Sequence, residues 1–159
     1  MRCLAACFFA MLLGVVTAEA RKPRCTLRAH VEANAQDGPV FSTRLRSPAT
    51  GREVVISKVP TISEADVVAF HSYPAENGTY GVLFHLSDHG KLALDTLSVE
   101  RRGSSLFVFV NGRYVDELQI DRRVSDGKLY IAAGFTQADI ELMKKDWRLP
   151  AKGRKAAGR

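Results

Sequence analysis

Cysteine is scarce in this sequence, with only Cys3, Cys7 and Cys25 among 159 residues. The first two lie in a predicted cleavable leader, so the mature chain keeps one thiol and cannot form an intramolecular disulfide. Its stability must therefore come from a hydrophobic core. Cys25 also stands too close to the predicted mature N-terminus to lie in the structured pocket that a cysteine nucleophile requires.

Long hydrophobic runs are equally rare. The longest apolar run, residues 4–16, is shorter than the roughly 20 residues that a membrane-spanning helix needs. It follows a basic start at Arg2 and precedes Ala18-Glu19-Ala20, which has the form of a signal-peptidase site. We therefore predict that residues 1–20 are a secretory signal peptide, and that the mature protein is periplasmic or secreted and does not span the membrane. A retained N-terminal anchor is the alternative.

Aromatic residues are missing from the basic C-terminal segment. The whole chain carries a formal net charge of +6, and residues 150–159 contribute Lys152, Arg154, Lys155 and Arg159. Basic segments can bind nucleic acid, but the binding of single strands relies on aromatic side chains on which the bases stack. We predict that residues 150–159 form a disordered, solubilising tail and that the protein has no nucleic-acid partner.

Motifs for covalent or nucleotide chemistry are absent too. No serine stands in a G-x-S-x-G setting, and no glycine-rich phosphate loop occurs. No pair of titratable groups lies in a motif that would tune its pKa values toward catalysis. We therefore predict that the protein is not an enzyme and that it has no catalytic residue, no cofactor and no metal ion.

One pair of histidines keeps an alternative open. His85 and His89 are four residues apart with Asp88 between them, a spacing that would place two metal ligands on one face of a continuous helix. A predicted break from strand to helix at Ser87 disturbs that spacing. A small hydrolase or metal-dependent enzyme that uses the His85/His89 region is the alternative to a binding protein.

Turn residues divide the first part of the mature chain into short strands. Asp37-Gly38 and residues 47–51 are typical of turns, and Asn77-Gly78 is typical of a hairpin. A short helical turn is predicted at residues 63–66. The predicted strands are residues 26–33, 39–46, 52–58, 67–73 and 79–86, of which the first three look like a β-meander.

Further strands follow in the second part. Residues 106–110 are apolar on both faces, which is typical of a strand in the middle of a covered sheet. Asn111-Gly112 provides the positive φ angles of a two-residue hairpin turn and predicts a return strand over residues 113–120. A last strand is predicted at residues 128–133, ending at Gly134.

Capping signals predict two helices. Ser87 is a predicted N-cap for an amphipathic helix from residue 88 to about 101. Thr136 and Asp139 have the capping-box spacing of a second helix, whose predicted buried positions are Ile140, Met143 and Trp147. Together the elements predict an α+β fold in one domain over residues 21–149. Two helices pack on a mostly antiparallel sheet, and the meander precedes them.

Several landmarks follow one another in residues 80–149. A strand leads into a Ser-x-x-Gly helix start, a later strand reaches Asn111-Gly112, and the step Ile-Ala-Ala-Gly-Phe-Thr, with Gly134 and Thr136, opens the last helix. In this order they resemble the head subdomain of the first periplasmic domain of SecD, an accessory subunit of bacterial protein export. The resemblance implies a ferredoxin-like fold for this part and contact with polypeptide. It implies no catalytic residue, and SecD's membrane helices have no counterpart in this sequence.

Four aromatic side chains of the predicted hairpin are the candidate site: Phe70, Tyr73, Tyr80 and Phe84. They form a binding surface if one face of the sheet is uncovered, and they belong to the core otherwise. An uncovered sheet face or edge offers a peptide main-chain hydrogen bonds and apolar pockets. The leading hypothesis is an exported, non-enzymatic binding module with a protein or polypeptide partner.

Processing of the N-terminus is the first testable prediction. The exported protein should begin at Arg21, because Ala18 and Ala20 present the small side chains that a signal peptidase accepts. N-terminal sequencing or an intact mass of the exported product checks this. A product that still carries Met1 would contradict the prediction.

Overall fold

The computed structural model describes residues 23–34, 36–147 and 149, so the predicted signal peptide and basic tail lie outside the described residues. The predicted strands and helices are present with ends within a few residues of the expected positions. The elements are β1 (Leu27–Val31), β2 (Ser42–Arg46), β3 (Glu53–Ser57), β4 (Ile62–Ser63), a 3-10 turn (Glu64–Asp66), β5 (Val67–Pro74), β6 (Tyr80–Leu86), α1 (Asp88–Glu100), β7 (Ser105–Val110), β8 (Arg113–Gln119), β9 (Lys128–Phe135) and α2 (Gln137–Asp146).

The strands form three antiparallel sheets. Their orders are β4-β1-β7-β8, β2-β3 and β5-β6-β9, and each strand pair in them is antiparallel. The predicted α+β fold with mostly antiparallel strands and two helices is therefore confirmed. The ferredoxin-like arrangement of residues 80–149 stays a prediction, because the strands of that part are divided between two sheets.

The pairing of β1 shows that the predicted N-terminal meander is wrong. β1 pairs with β7 over its whole length and with β4, while β2 pairs with β3. Leu27 and Ala29 of β1 are fully buried in the main core, whereas Arg44 and Arg46 of β2 are exposed. A strand with an apolar face gains more from joining the core sheet than from pairing with a polar neighbour, because burial of apolar surface is the larger stabilising effect.

The central strand β7 is buried on both sides, as its two apolar faces predict. On its second face Phe107 is fully buried. Ile56 of the β2–β3 hairpin is also buried, and it bridges Glu32, the residue after β1. The hairpin is attached through a 2.8 Å contact between His30 Nδ1 and the Ser57 carbonyl oxygen. On its first face three side chains enter the main core: Leu106, Val108 and Val110.

Both helices begin at the predicted caps. The Ser87 hydroxyl accepts a hydrogen bond from the Gly90 N–H at 3.3 Å, and Thr136 and Asp139 form a reciprocal capping box at the start of α2. The predicted buried positions Ile140, Met143 and Trp147 lie in the main core, and α1 contributes Leu94 and Leu97 to it.

The carboxylate of Asp139 joins α2 to the β7–β8 hairpin. It accepts hydrogen bonds from the Thr136 N–H at 2.9 Å and hydroxyl at 2.7 Å, from the Asn111 amide at 3.3 Å and from the Arg113 guanidinium at 2.7 Å. Asn111 and Gly112 adopt the predicted turn with φ angles of 51° and 77°. Arg113 also donates to the Gly134 carbonyl oxygen at 3.1 Å. The four turn landmarks of the sequence therefore come together around one acidic side chain.

The ionisation of Asp139 gives a prediction about acid stability. Burial by itself raises the pKa of this carboxyl, but the hydrogen bonds from Thr136 and the charge of Arg113 outweigh burial and hold its pKa below the usual value. A carboxyl with a lowered pKa stabilises the fold above its unfolded pKa of about 3.9, and this contribution is lost as the pH falls through the folded value. Asp139→Asn should therefore lower the free energy of unfolding by about 2–4 kcal/mol at pH 7 and by less at low pH.

Urea unfolding of the wild type and of Asp139→Asn, from acidic to neutral pH, measures the difference in their free energies of unfolding. Asp121→Asn is the matched control, because Asp121 is exposed and its substitution should change stability by less than about 0.5 kcal/mol. If Asp139→Asn changed the free energy of unfolding equally at acidic and neutral pH, the stabilising role of the ionised Asp139 carboxylate would be contradicted.

Candidate interaction surface

The pairing of β5 with β6 decides which side of the sheet each aromatic residue faces. Phe70 lies opposite Phe84, and Tyr73 lies opposite Gly81. Because side chains alternate along a strand, residues three apart point to opposite faces. Phe70 and Phe84 thus share the core face of the β5-β6-β9 sheet, while Tyr73 lies on its outer face.

The predicted surface of four aromatic residues is therefore wrong for three of them. Phe70 and Phe84 are 0% exposed, and both rings stand edge-on to Trp147, with centroids 6.3 and 6.0 Å away. Tyr80 shares their face and packs, partly buried, against the same core. A side chain without exposed surface cannot contact a partner, so of the four Tyr73 alone belongs to the outer face.

Tyr73 stacks on Tyr130 of β9 across the outer face of the sheet. The two rings are parallel within 6°, with centroids 5.7 Å apart, and the Tyr73 hydroxyl donates a hydrogen bond to the Ile131 carbonyl oxygen at 3.0 Å. The ring of Tyr73 crosses β6 at Gly81, where a methyl group would collide with the ring and with the Ala132 carbonyl oxygen. Glycine at position 81 therefore allows the stack to lie flat on the sheet.

The stacked pair is the centre of an uncovered sheet face. Tyr130 remains 55% exposed, and its neighbour across the strands, Leu83, is half-buried. Burial raises the pKa of the Tyr73 phenol above its usual value, so this ring stays uncharged at physiological pH. We call the outer face around Tyr73, Tyr130 and Leu83 the tyrosine face.

A cleft continues from the tyrosine face between β9 and the end of β8. Its volume is about 560 Å³, and its apolar lining includes Leu83, Leu118 and Leu129. Arg123 lies in the same cleft and is held by two hydrogen bonds of 2.6 and 2.8 Å to Asp95. Within the described residues β5 and β9 are the edges of their sheet, so unpaired main-chain groups border this region.

The structure does not bring His85 and His89 together in one site, so it does not support the alternative of a metal-dependent enzyme. His89 Nδ1 lies 2.6 Å from Asp66 Oδ1, whereas His85 stands on the outer side of β6 opposite Lys128. Asp66 also accepts hydrogen bonds from the Ser63 N–H and hydroxyl, which cap the 3-10 turn. The described residues contain no cluster of three or more His, Cys, Asp or Glu side chains that could hold a metal ion.

Both groups of the Asp66–His89 pair have a structural explanation. Burial alone raises the pKa of Asp66, but hydrogen bonds from His89 and Ser63 hold it below its usual value. The carboxylate is therefore ionised at neutral pH and caps the turn before β5.

The Cys25 thiol is fully buried, and burial with the nearby charges of Asp139 and Asp146 raises its pKa to about 12. Such a thiol stays protonated and is a poor nucleophile.

Comparison with known proteins extends the likeness seen in the sequence. No protein-family model and no curated protein sequence matches this chain. Two solved structures of SecDF are similar, one described as a membrane component that enhances protein export and one as SecDF in a super-membrane-facing form. They have TM-scores of 0.55 and 0.54 and 15% sequence identity, and the likeness covers 80% of this chain. This chain spans 65% of the first SecDF chain and 20% of the second.

The predicted resemblance to SecD is thus confirmed at the level of the fold. It extends beyond residues 80–149, from which it was predicted, because it covers 80% of the chain. Among the described residues no helix is both long enough and apolar enough to cross a membrane.

Tyr130 is the main residue of this surface that the sequence analysis missed. Its signal is the alternation in β9, where Leu129 and Ile131 are buried and Tyr130 between them is exposed. The same alternation separates Phe70 from Tyr73. The partnership of Tyr73 with Tyr130 requires the pairing order β5-β6-β9, which no local pattern indicates.

The close approach at Gly81 gives a prediction about stability. Gly81→Ala should lower the free energy of unfolding by about 1–3 kcal/mol, because the new methyl group would displace the Tyr73 ring and press on the β9 main chain. Gly38→Ala is the control, since a side chain there meets nothing within 4 Å and its effect should be near zero or slightly stabilising. Urea denaturation of the two variants checks the difference, and equal effects would contradict the described stack.

Proposed function

We propose that this protein is an exported, non-enzymatic interaction module of the cell envelope that binds extended polypeptide on the tyrosine face. The observation that supports this most is the stacked pair of Tyr73 and Tyr130, which leaves a large aromatic surface exposed on an otherwise well-packed sheet. Aromatic rings with one polar end are enriched in protein interfaces, because they bury much area with few rotatable bonds. The proposal assigns no reaction to the site.

The geometry around the stack suits an extended chain. The rings and Leu83 offer apolar contact, and the edges of β5 and β9 border this face with main-chain donors and acceptors. An extended segment presents side chains and main-chain groups in alternation, so it can use both. Recognition of this type depends little on the sequence of the bound segment.

The SecDF likeness supports a role at the envelope. SecDF is described as a component that enhances protein export, and a polypeptide in transit is extended. With 15% identity, the likeness carries a fold to this chain, and the export-related role remains our proposal. Periplasmic or secreted localisation follows from the predicted signal peptide over residues 1–20.

Fluorescence anisotropy with a permanently unfolded probe tests the proposal. The probe is labelled α-lactalbumin whose cysteines are reduced and carbamidomethylated, and the titration is repeated at about 0.5 M salt to screen the positive charge of the chain. The wild type should bind under both conditions. Tyr130→Ser should weaken binding about fivefold or more, because it removes half of the exposed stack.

Leu92→Ser is the matched control for that titration. Leu92 is 65% exposed on α1, away from the outer face of the sheet, so its replacement should leave the affinity unchanged. Absence of binding by the wild type, or an equal loss in both variants, would refute binding through the tyrosine face.

A further inference from the structure

The open end of the β2–β3 hairpin, where β2 begins and β3 ends, carries an apolar group that the proposed function does not use. Val40, Phe41 and Val59 are 74%, 71% and 70% exposed. The Lys58 N–H donates to the Phe41 carbonyl oxygen at 2.9 Å, so the chain segments that carry the three side chains are joined directly. We call Val40, Phe41 and Val59 the apolar tip.

The tip is presented by an ordered element. The Phe41 N–H donates to the Gly38 carbonyl oxygen at 3.0 Å, and the Ser42 hydroxyl donates to the Asp37 carbonyl oxygen at 2.8 Å. The Lys58 ammonium donates to the Pro39 carbonyl oxygen, which closes the end of the hairpin. Exposure of these apolar side chains is thus a property of a hydrogen-bonded turn.

The hairpin that carries the tip is strongly basic. Among the described residues, Arg46, Arg52 and Lys58 have no acidic side chain within ion-pair distance, whereas Arg44 is paired with Glu53 at 3.1 Å. Positive charge that is not neutralised within the protein remains available to an anionic surface. Residues 37–60, which include the turn before β2, contain four basic and two acidic residues: Arg44, Arg46, Arg52 and Lys58 against Asp37 and Glu53.

A cleft opens beside the tip, between the hairpin and the β4-β1-β7-β8 sheet. The volume of this cleft is about 360 Å³. Lys58 lines the cleft and also adjoins the tip, because its main-chain N–H donates a hydrogen bond to the Phe41 carbonyl oxygen. The cleft has both basic and apolar side chains in its lining, which suits an anionic headgroup followed by hydrocarbon, although Arg28 and Arg44 are paired with Glu64 and Glu53. The lining includes the bases Arg28, Arg44 and Lys58 and the apolar residues Leu45, Ile56 and Phe109.

From these observations we infer that the β2–β3 hairpin docks the protein on an anionic phospholipid surface. The apolar tip enters the interfacial region of the bilayer, and the basic side chains of the hairpin contact lipid phosphates. The docking surface is separate from the tyrosine face, which lies on a different sheet. It brings the proposed polypeptide-binding site close to a membrane although the described residues contain no spanning helix.

The shape of the tip favours a bilayer over a protein partner. Three side chains at the open end of the hairpin are each at least 70% exposed, and exposed apolar groups can enter a fluid interface without a preformed pocket. A protein partner would need a groove shaped to this hairpin. The excess of basic residues also matches the negative charge of phosphatidylglycerol or similar lipids.

Vesicle binding tests the inference with the processed, exported protein. The probes are vesicles of phosphatidylcholine alone and vesicles with about 30% phosphatidylglycerol, at low ionic strength. We expect binding to the anionic vesicles, little binding to the neutral ones, and a loss of about tenfold or more for Phe41→Ser. Because this substitution changes no charge, adsorption of the basic C-terminal segment contributes equally to both proteins.

Two controls and a reporter separate tip insertion from general adsorption. Leu92→Ser and Tyr130→Ser should each change vesicle binding less than about twofold. An indole introduced by Phe41→Trp should be quenched by brominated acyl chains, whereas the native Trp147 is buried and should not be. No binding by the wild type, unchanged binding by Phe41→Ser, or no quenching of the introduced indole would each overturn the inference.

Discussion

The hydrogen bonds to the Asp139 carboxylate are the constraint on which the rest of the arrangement depends. A nearly buried charge is costly unless donors surround it, and here Thr136, Asn111 and Arg113 provide them. Each donor belongs to a different local structure, namely the start of α2, the turn after β7 and the first residue of β8. One side chain thus fixes the end of the central hairpin against the helix that covers the core.

The two apolar faces of β7 explain the position of the β2–β3 hairpin. The core fills one face of the sheet, and Phe107 on the other face needs a cover of its own. Ile56 of the hairpin is buried as well, and most charged residues of the hairpin are basic. A two-stranded hairpin is too small to bury all of its own apolar residues. Val40 and Phe41 at its open end therefore remain exposed.

Local signals predicted most of the helices and strands. The pairing of strands that are distant in the sequence could not be predicted in this way. Asn111-Gly112 and the Thr136/Asp139 capping box act within a few residues, so their positions in the sequence suffice. The partner of β1 is β7, about 80 residues away, and only the competition for core burial selects it. The candidate site shows the same limit, since alternation separates Tyr73 from Phe70, but the stack with Tyr130 depends on the order of three strands.

The hydrogen bond from Tyr73 to the Ile131 carbonyl oxygen has a consequence for the kinetics of the polypeptide binding that we propose. This ring is held flat over Gly81 before any ligand arrives, so it has little rotamer entropy left to lose. A platform prepared in this way does not need to rearrange during association. Different polypeptide segments should therefore associate at similar rates and differ mainly in how quickly they leave.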